Sequence, residues 1–263
     1  MPSKKFVTTG FYRTEKQTVP FPVQIWPTPF FYARVYGVVR RASALARAGR
    51  YKDPEWAASS GSIVDALESV GGTVSVDNLF AFRNAGGPCV VVANHMSTLE
   101  TFLLAFFLCP FGPVTFVVKE ALLDYPLFGP VMRSRDPIVV GRQNPRHDLQ
   151  AVLEDGCDRL SQGISVIVFP QTTRSAVFDP ARFNSIGVKL ARKGSVPVVP
   201  LALKTDAWGT GRLIKDFGPI RPEIPTMFEF ADPMPIKGPG KEEQARIVEF
   251  IATRLAVWLN AQS

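Results

Sequence analysis

Paired cysteines, a histidine cluster and an apolar run long enough to cross a bilayer are all missing from this chain. Its three cysteines, Cys89, Cys109 and Cys157, are odd in number, widely separated and without Cys-x-x-Cys spacing. That pattern argues against a disulfide framework or a zinc site, so no metal is expected, and it suits a reducing cytoplasm. The uncharged run from Phe102 to Val118 is interrupted by Pro110-Phe111-Gly112-Pro113. A spanning helix needs about 20 apolar residues, so no transmembrane segment is expected. No signal peptide is expected either, because Lys4-Lys5 is not followed by an apolar run and a small-residue cleavage site. Internal repeats and low-complexity tracts are also lacking. Gly209-Thr210-Gly211 lies near Pro219, Pro222 and Pro225 with no strand–glycine–helix unit around it, which excludes a dinucleotide fingerprint.

What is present fits a globular chain with a sizeable core: 263 residues, 46% hydrophobic and 20% charged. The charge is uneven. Residues 1–50 carry nine basic groups against the single acid Glu15, and the remainder is close to neutral. A basic arm of this kind can meet anionic lipid, nucleic acid or an acidic partner. Nucleic acid is the weakest of these, since the arm's aromatics are interleaved with prolines and the rest of the chain is slightly acidic.

Within the arm, Pro22, Pro27 and Pro29 argue against a regular helix before residue 30. Residues 30–48 can be helical, with Phe31, Val35, Val38, Ala42 and Leu45 on one stripe. Basic, amphipathic and aromatic at its entry, this segment fits an interfacial membrane helix, and equally a solvated helix packed on the domain by its stripe. Gly49, Pro54, Gly61 and Gly71-Gly72 predict a linker with a short helix near residues 63–70.

Beyond the linker, apolar runs alternate with helical patterns. Strands are expected at 73–82, 89–93, 114–119, 138–140, 164–169, 196–203 and 227–231. Helices are expected at 101–108, 146–162, 183–192 and 242–259, with one helical turn at 120–124 and a shaped loop at 125–130. The expected fold class is α/β: a mixed, mostly parallel sheet flanked by helices, preceded by a basic amphipathic N-terminal arm. The expected division is an arm and linker over residues 1–60 and an α/β domain over 61–263.

The chemistry gathers at strand ends, where α/β proteins bind ligands. The β-branched run Val90-Val91-Val92 ends at Asn94-His95, and Glu100 follows five residues after the His. A neutral imidazole can take a proton from a hydroxyl, and a carboxylate on its other nitrogen would fix the tautomer. Ser97-Thr98-Leu99-Glu100 also reads as a capping box, with Glu100 folded back on the helix N-terminus; the two readings are compatible. Phe169-Pro170-Gln171-Thr172-Thr173-Arg174-Ser175 follows another buried run and offers hydroxyls, an amide and a guanidinium. Arg142 follows Val139-Val140, and Lys119 ends a further run. If these strands are parallel, Lys119, Arg142 and Arg174 converge beside His95, as a site for deprotonating a hydroxyl on a phosphate-bearing molecule would require.

These motifs, in this order from about Thr73 to Leu203, resemble the glycerolipid acyltransferases typified by 1-acyl-sn-glycerol-3-phosphate acyltransferase. That family's Asn-His-x-Ser-x-x-Asp is Asn94-His95-Met96-Ser97-Thr98-Leu99-Glu100 here. Its Lys-Glu-x-Leu and Pro-x-Phe-Gly blocks are matched by Lys119-Glu120 with Leu123 and by Pro126-Leu127-Phe128-Gly129. Its Phe-Pro-Glu-Gly-Thr-Arg-Ser is matched by residues 169–175, and its Val-Pro-Val-x-Pro by Val196-Pro197-Val198-Val199-Pro200.

The resemblance implies a glycerol-3-phosphate acyltransferase-like fold. It implies that His95 acts as general base with Glu100 orienting it, and that acyl-CoA or acyl-carrier protein serves as co-substrate without a cofactor, metal or acyl-enzyme. It also implies that Asn94, Ser97, Lys119, Arg142, Gln171, Thr172, Thr173 and Arg174 bind substrate. The lyso-lipid acceptor would be met at the cytoplasmic face of a membrane, with the chain bound peripherally. Three departures stand out: Glu100 for Asp, Gln171 for Glu and Thr172 for Gly. They leave room for a different, phosphate-free acceptor or for a non-catalytic lipid-binding homologue.

Overall fold

The computed structural model of the chain describes residues 5–15, 17–171, 173–211 and 214–260. In chain order the N-terminal part forms α1 (Phe6–Thr9), β1 (Tyr12–Arg13), α2 (Phe21–Ile25), α3 (Pro27–Arg47) and α4 (Asp53–Ser69). Then come β2 (Val74–Asp77), α5 (Phe80–Arg83), β3 (Val90–Ala93), α6 (Leu99–Leu108), β4 (Val114–Lys119), α7 (Phe128–Arg133) and β5 (Ile138–Val140). The chain closes with α8 (Pro145–Ser161), β6 (Ser165–Val168), α9 (Ile186–Lys193), β7 (Val198–Lys204), β8 (Thr226–Phe230) and α10 (Lys241–Asn260).

The eight strands make one sheet in the order β1-β2-β8-β7-β3-β6-β4-β5. The five strands from β7 to β5 run parallel, and antiparallel pairing is confined to β1 with β2 and β7 with β8. The α/β class and the mostly parallel order expected from the sequence are therefore found. Val90 to Ala93 are all fully buried between β6 and β7. A strand covered on both faces needs such an uninterrupted apolar run. One face packs beneath α4 and α6, with Val91 and Ala93 in its core; the other packs beneath α8, α9 and α10, with Val90 and Val92 in its core.

Because β3, β4, β5, β6 and β7 are parallel, their C-terminal ends open on one edge. That edge receives His95, Lys119, Arg142, residues 169–171 and 173–175, and Thr205.

The first sixty residues depart from the sequence reading. The expected linker is largely α4, a helix of 17 residues that runs through the boundary drawn at residue 60. Gly61 sits in its interior because a Cβ there would lie 2.9 Å from the Phe106 ring; the missing side chain allows α4 to lie close on α6. The prolines do not forbid helix before residue 30 either. Pro27 and Pro29 fall in the first turn of α3, where backbone N–H groups have no intrahelical acceptor.

The arm is also woven into the core. Tyr12 and Thr14 both donate to Glu68 Oε1 of α4 at 2.7 Å, and Phe6, Tyr12, Phe106 and Phe107 pack edge to face. Burial raises the Glu68 carboxyl pKa, against the two hydroxyl hydrogen bonds that lower it. Smaller corrections are local. The strand expected at 73–82 stops at Asp77 and gives way to α5, the loop at 125–130 includes the start of α7, and the helix expected from 183 starts at Ile186.

The α3 stripe is turned inward. Phe31, Val35 and Ala42 are buried, while Arg34, Arg40, Arg41 and Arg47 face solvent. Exposed aromatics remain at its entry, with Phe21 72% and Trp26 61% exposed. Among the described residues no helix is long and apolar enough to cross a membrane.

Candidate active site

His95 stands where β3 ends. Its preceding neighbour, Asn94, is buried and continues the β3–β7 ladder with its side chain: Nδ2 donates to the Leu203 carbonyl at 2.7 Å and Oδ1 accepts from the Leu203 amide at 2.9 Å. The backbone is then pinned on the other side, since the His95 amide donates to Gln171 Oε1 at 2.8 Å and its carbonyl accepts from the Ser175 amide at 2.9 Å. The imidazole lies flat on Phe169, with ring centroids 4.3 Å apart. Nδ1 meets Glu100 Oε1 at 2.8 Å. A carboxylate accepts only, so Nδ1 carries a proton, and in the neutral imidazole Nε2 keeps its lone pair.

Glu100 is wholly buried in the first turn of α6. Besides His95 it accepts from the amides of Met96 at 2.8 Å and Ser97 at 3.0 Å, from the Ser97 hydroxyl at 3.0 Å and from the Thr205 hydroxyl at 2.5 Å. Burial alone would push this carboxyl up; the His95 contact and the Thr205 and backbone donors outweigh it and hold the group below its ordinary value. Both sequence readings of Glu100 therefore hold at once. It folds back on the helix N-terminus and it pairs with His95.

One cavity of about 1090 Å³ opens in front of the pair. His95, Thr173, Arg174, Arg142 and Lys119 line it, together with an apolar wall from α3, α4 and α7. The three cations expected to converge do so, although they come from three strand ends. Arg142 is held in the left-handed backbone region, φ 60°, by Asp148, whose carboxylate accepts from the amides of Gly141 and Arg142. A non-glycine residue there is uncommon and marks a turn fixed by its surroundings. Arg174 reaches Thr98 with one terminal nitrogen and Asp216 with the other.

Three residues expected to bind substrate have their side chains engaged within the scaffold. Asn94 and Gln171 are buried, their side chains hold backbone, and they do not line the cavity. Ser97 lines it, but its hydroxyl donates to Glu100, lies 3.0 Å from the Thr205 hydroxyl and accepts from the Leu99 amide. Short polar side chains beside a strand end satisfy the nearest backbone group before they can reach a ligand. Thr172 lies outside the described residues.

Sequence reasoning missed Thr205, Asp216 and Phe169 as parts of the site. Phe169 stood inside a quoted motif. Thr205 is 105 residues from its partner Glu100, so no local spacing could have joined them. Among the described residues no cluster of ligating side chains could hold a metal ion.

A family model described as Acyltransferase matches residues 73–204, the stretch that carries β2 to β7 and the His95–Glu100 pair. The chain belongs to this acyltransferase family. A curated relative, the 1-acyl-sn-glycerol-3-phosphate acyltransferase of Pseudomonas aeruginosa, is 36% identical over 115 residues, 44% of each chain. Another of the same name, from Cocos nucifera, is 28% identical over 142 residues, 50% of this chain and 46% of that one. The chain thus spans less than half the length of these curated relatives. The solved structure of the 1-acyl-sn-glycerophosphate acyltransferase from Thermotoga maritima superposes with a TM-score of 0.62 at 25% identity. It covers 89% of this chain and 95% of that one. The likeness therefore reaches beyond the segment matched by the acyltransferase family model.

Proposed function

We propose that this chain is an O-acyltransferase that moves a fatty acyl group from acyl-CoA or acyl-carrier protein to the hydroxyl of a lysophospholipid such as 1-acyl-glycerol-3-phosphate. The observation that carries this reading is the His95–Glu100 pair opening on a cavity that also holds Lys119, Arg142 and Arg174. Family membership and the named relatives support it.

In this mechanism Nε2 of His95 takes the proton of the acceptor hydroxyl. The oxygen attacks the thioester carbonyl, the C–S bond breaks, and the imidazolium returns its proton to the departing thiolate. Glu100 stabilises the transient imidazolium. No acyl-enzyme forms. Lys119, Arg142 and Arg174 hold the acceptor's phosphate. The exposed aromatics Phe21, Trp26 and Phe30, beside the arginines of α3, would rest on the cytoplasmic face of an anionic membrane and keep the chain peripheral.

The test is to incubate purified chain with each thioester and a panel of lyso-lipids and to follow products by mass spectrometry. Acylation of lysophosphatidate that disappears in His95→Ala is expected; acylation that persists unchanged would sink the assigned mechanism. An acceptor without phosphate is the second reading, because the Arg174 fork is already engaged by Asp216 and Thr98. Turnover of a phosphate-free acceptor, with none of lysophosphatidate, would select it.

A further inference from the structure

The segment between β7 and β8 places an acid where the acceptor's phosphate is expected. The Asp216 carboxylate pairs with one terminal nitrogen of Arg174, and the other terminal nitrogen donates to the Thr98 hydroxyl. Both prongs of the guanidinium are thus engaged. The second Asp216 oxygen accepts from the Tyr125 hydroxyl at 3.2 Å. The Asp216 main-chain carbonyl accepts from Trp208 Nε1 at 3.0 Å, and Trp208 is itself buried against Phe31 and Phe102. The backbone at 216 is therefore anchored while the carboxylate is not sealed. The side chains of Arg174 and Asp216 are 30% and 21% exposed, and both residues line the cavity that holds His95.

A carboxylate on a guanidinium makes the same planar, charge-assisted contact that a phosphate would make. Two anions cannot share that fork without repulsion, and a partly buried setting screens the repulsion poorly. We propose that Asp216 sets acceptor affinity as an internal counter-anion: it occupies Arg174 in the empty site, and the acceptor's phosphate binds by displacing it. Rotation of the Asp216 side chain about its anchored backbone is enough for the exchange. The carboxylate returns as the phosphate of the product leaves, so the same contact that weakens binding also helps release. A neutral acceptor, which has no claim on Arg174, meets no such competition. This rests on the phosphate-acceptor reading above.

The experiment compares wild type with Asp216→Asn in the full chain, on lysophosphatidate and on monoacylglycerol. Loss of the competing charge should lower the KM for lysophosphatidate about tenfold, and raise its kcat/KM relative to monoacylglycerol by a similar factor. Glycerol 3-phosphate, titrated calorimetrically without any acyl donor, should bind Asp216→Asn about tenfold more tightly than wild type. In an Arg174→Met background the same substitution should change neither quantity. Asp216→Ser serves if the Asn variant does not fold. A KM that rises would overturn the proposal and make Asp216 a positioning residue for Arg174; an unchanged KM and an unchanged glycerol 3-phosphate affinity would overturn it too. A wild-type chain that acylates no lysophosphatidate removes the functional reading and the proposal with it, whereas an active wild type with an unresponsive Asp216→Asn removes the proposal alone.

Discussion

The His95–Glu100 pair and the cationic rim occupy one sheet edge yet are built in opposite ways. The pair is local in sequence and immobilised. Glu100 is fully buried, and backbone amides, two hydroxyls and the imidazole converge on its two oxygens. The rim is assembled from distant strand ends, and its side chains are long and largely open to solvent, with Lys119 and Arg142 exposed. A group that must hold a proton donor at fixed geometry needs saturation and burial, because an unpaired buried carboxylate is costly. Groups that must catch and release an anion need exposure, because a sealed ion pair would have no reason to open. Arg174, half in each region, contacts Thr98 next to the pair and Asp216 at the rim.

Substitutions at five positions break or sharpen that contrast, and the largest effect falls on the pair. His95→Ala should lower kcat about a thousandfold, within the range for a positioned general base. It should also lower the melting temperature, since Phe169 loses its stacked ring and the buried Glu100 carboxylate loses one of its partners.

Glu100→Ala should reduce both rate and stability. Orphaning the converging donors should cost roughly 2–4 kcal/mol and about a hundredfold in rate, read by urea unfolding and by steady-state kinetics. The pH dependence has a definite sign. The Glu100 carboxyl is held below its ordinary 4.5 in the folded chain. Its contribution is therefore fully present above that value and is lost as pH falls through the depressed folded value. Urea midpoints taken from about pH 6 down to pH 3 should show a shallower acid decline in Glu100→Gln than in wild type.

Arg174→Met tests the rim. It should raise the lysophosphatidate KM by roughly tenfold to a hundredfold with a smaller change in kcat, as loss of one charge-assisted phosphate contact requires. An equal fall in kcat with KM unmoved would instead assign Arg174 to the transition state.

Thr205→Val removes one donor to Glu100 while preserving shape. A loss of about tenfold in kcat and roughly 1–2 kcal/mol of stability is expected, and its effect should vanish in a Glu100→Ala background. Lys119→Ala should have the least effect, about a two- to threefold rise in KM that fades at high salt, as for any exposed charge.

Legibility followed the same division. The β-branched runs that became β3, β4, β6 and β7 were readable because a strand buried on both faces leaves no polar alternation to obscure it. His95 and Glu100 were readable together because a helix N-terminus brings residues five apart into contact. The arm was misread because proline and glycine report local preference. Pro27 entered a helix at the one turn that tolerates it, and Gly61 stayed in α4 because Phe106 fills the space a side chain would take. Asn94, Ser97 and Gln171 were placed on the substrate by the family resemblance. Only the fold reveals the backbone groups that their side chains hold.

By itself, then, the sequence determined the α/β class, the His95–Glu100 pair and the set of cations at strand ends, all of which follow from short-range pattern and from parallel order. Tertiary structure alone decided that Thr205 completes the Glu100 cage, that Phe169 carries the imidazole and that Asp216 sits on Arg174. Those contacts join segments tens of residues apart, and closing such loops depends on the packing of the whole sheet rather than on any local preference.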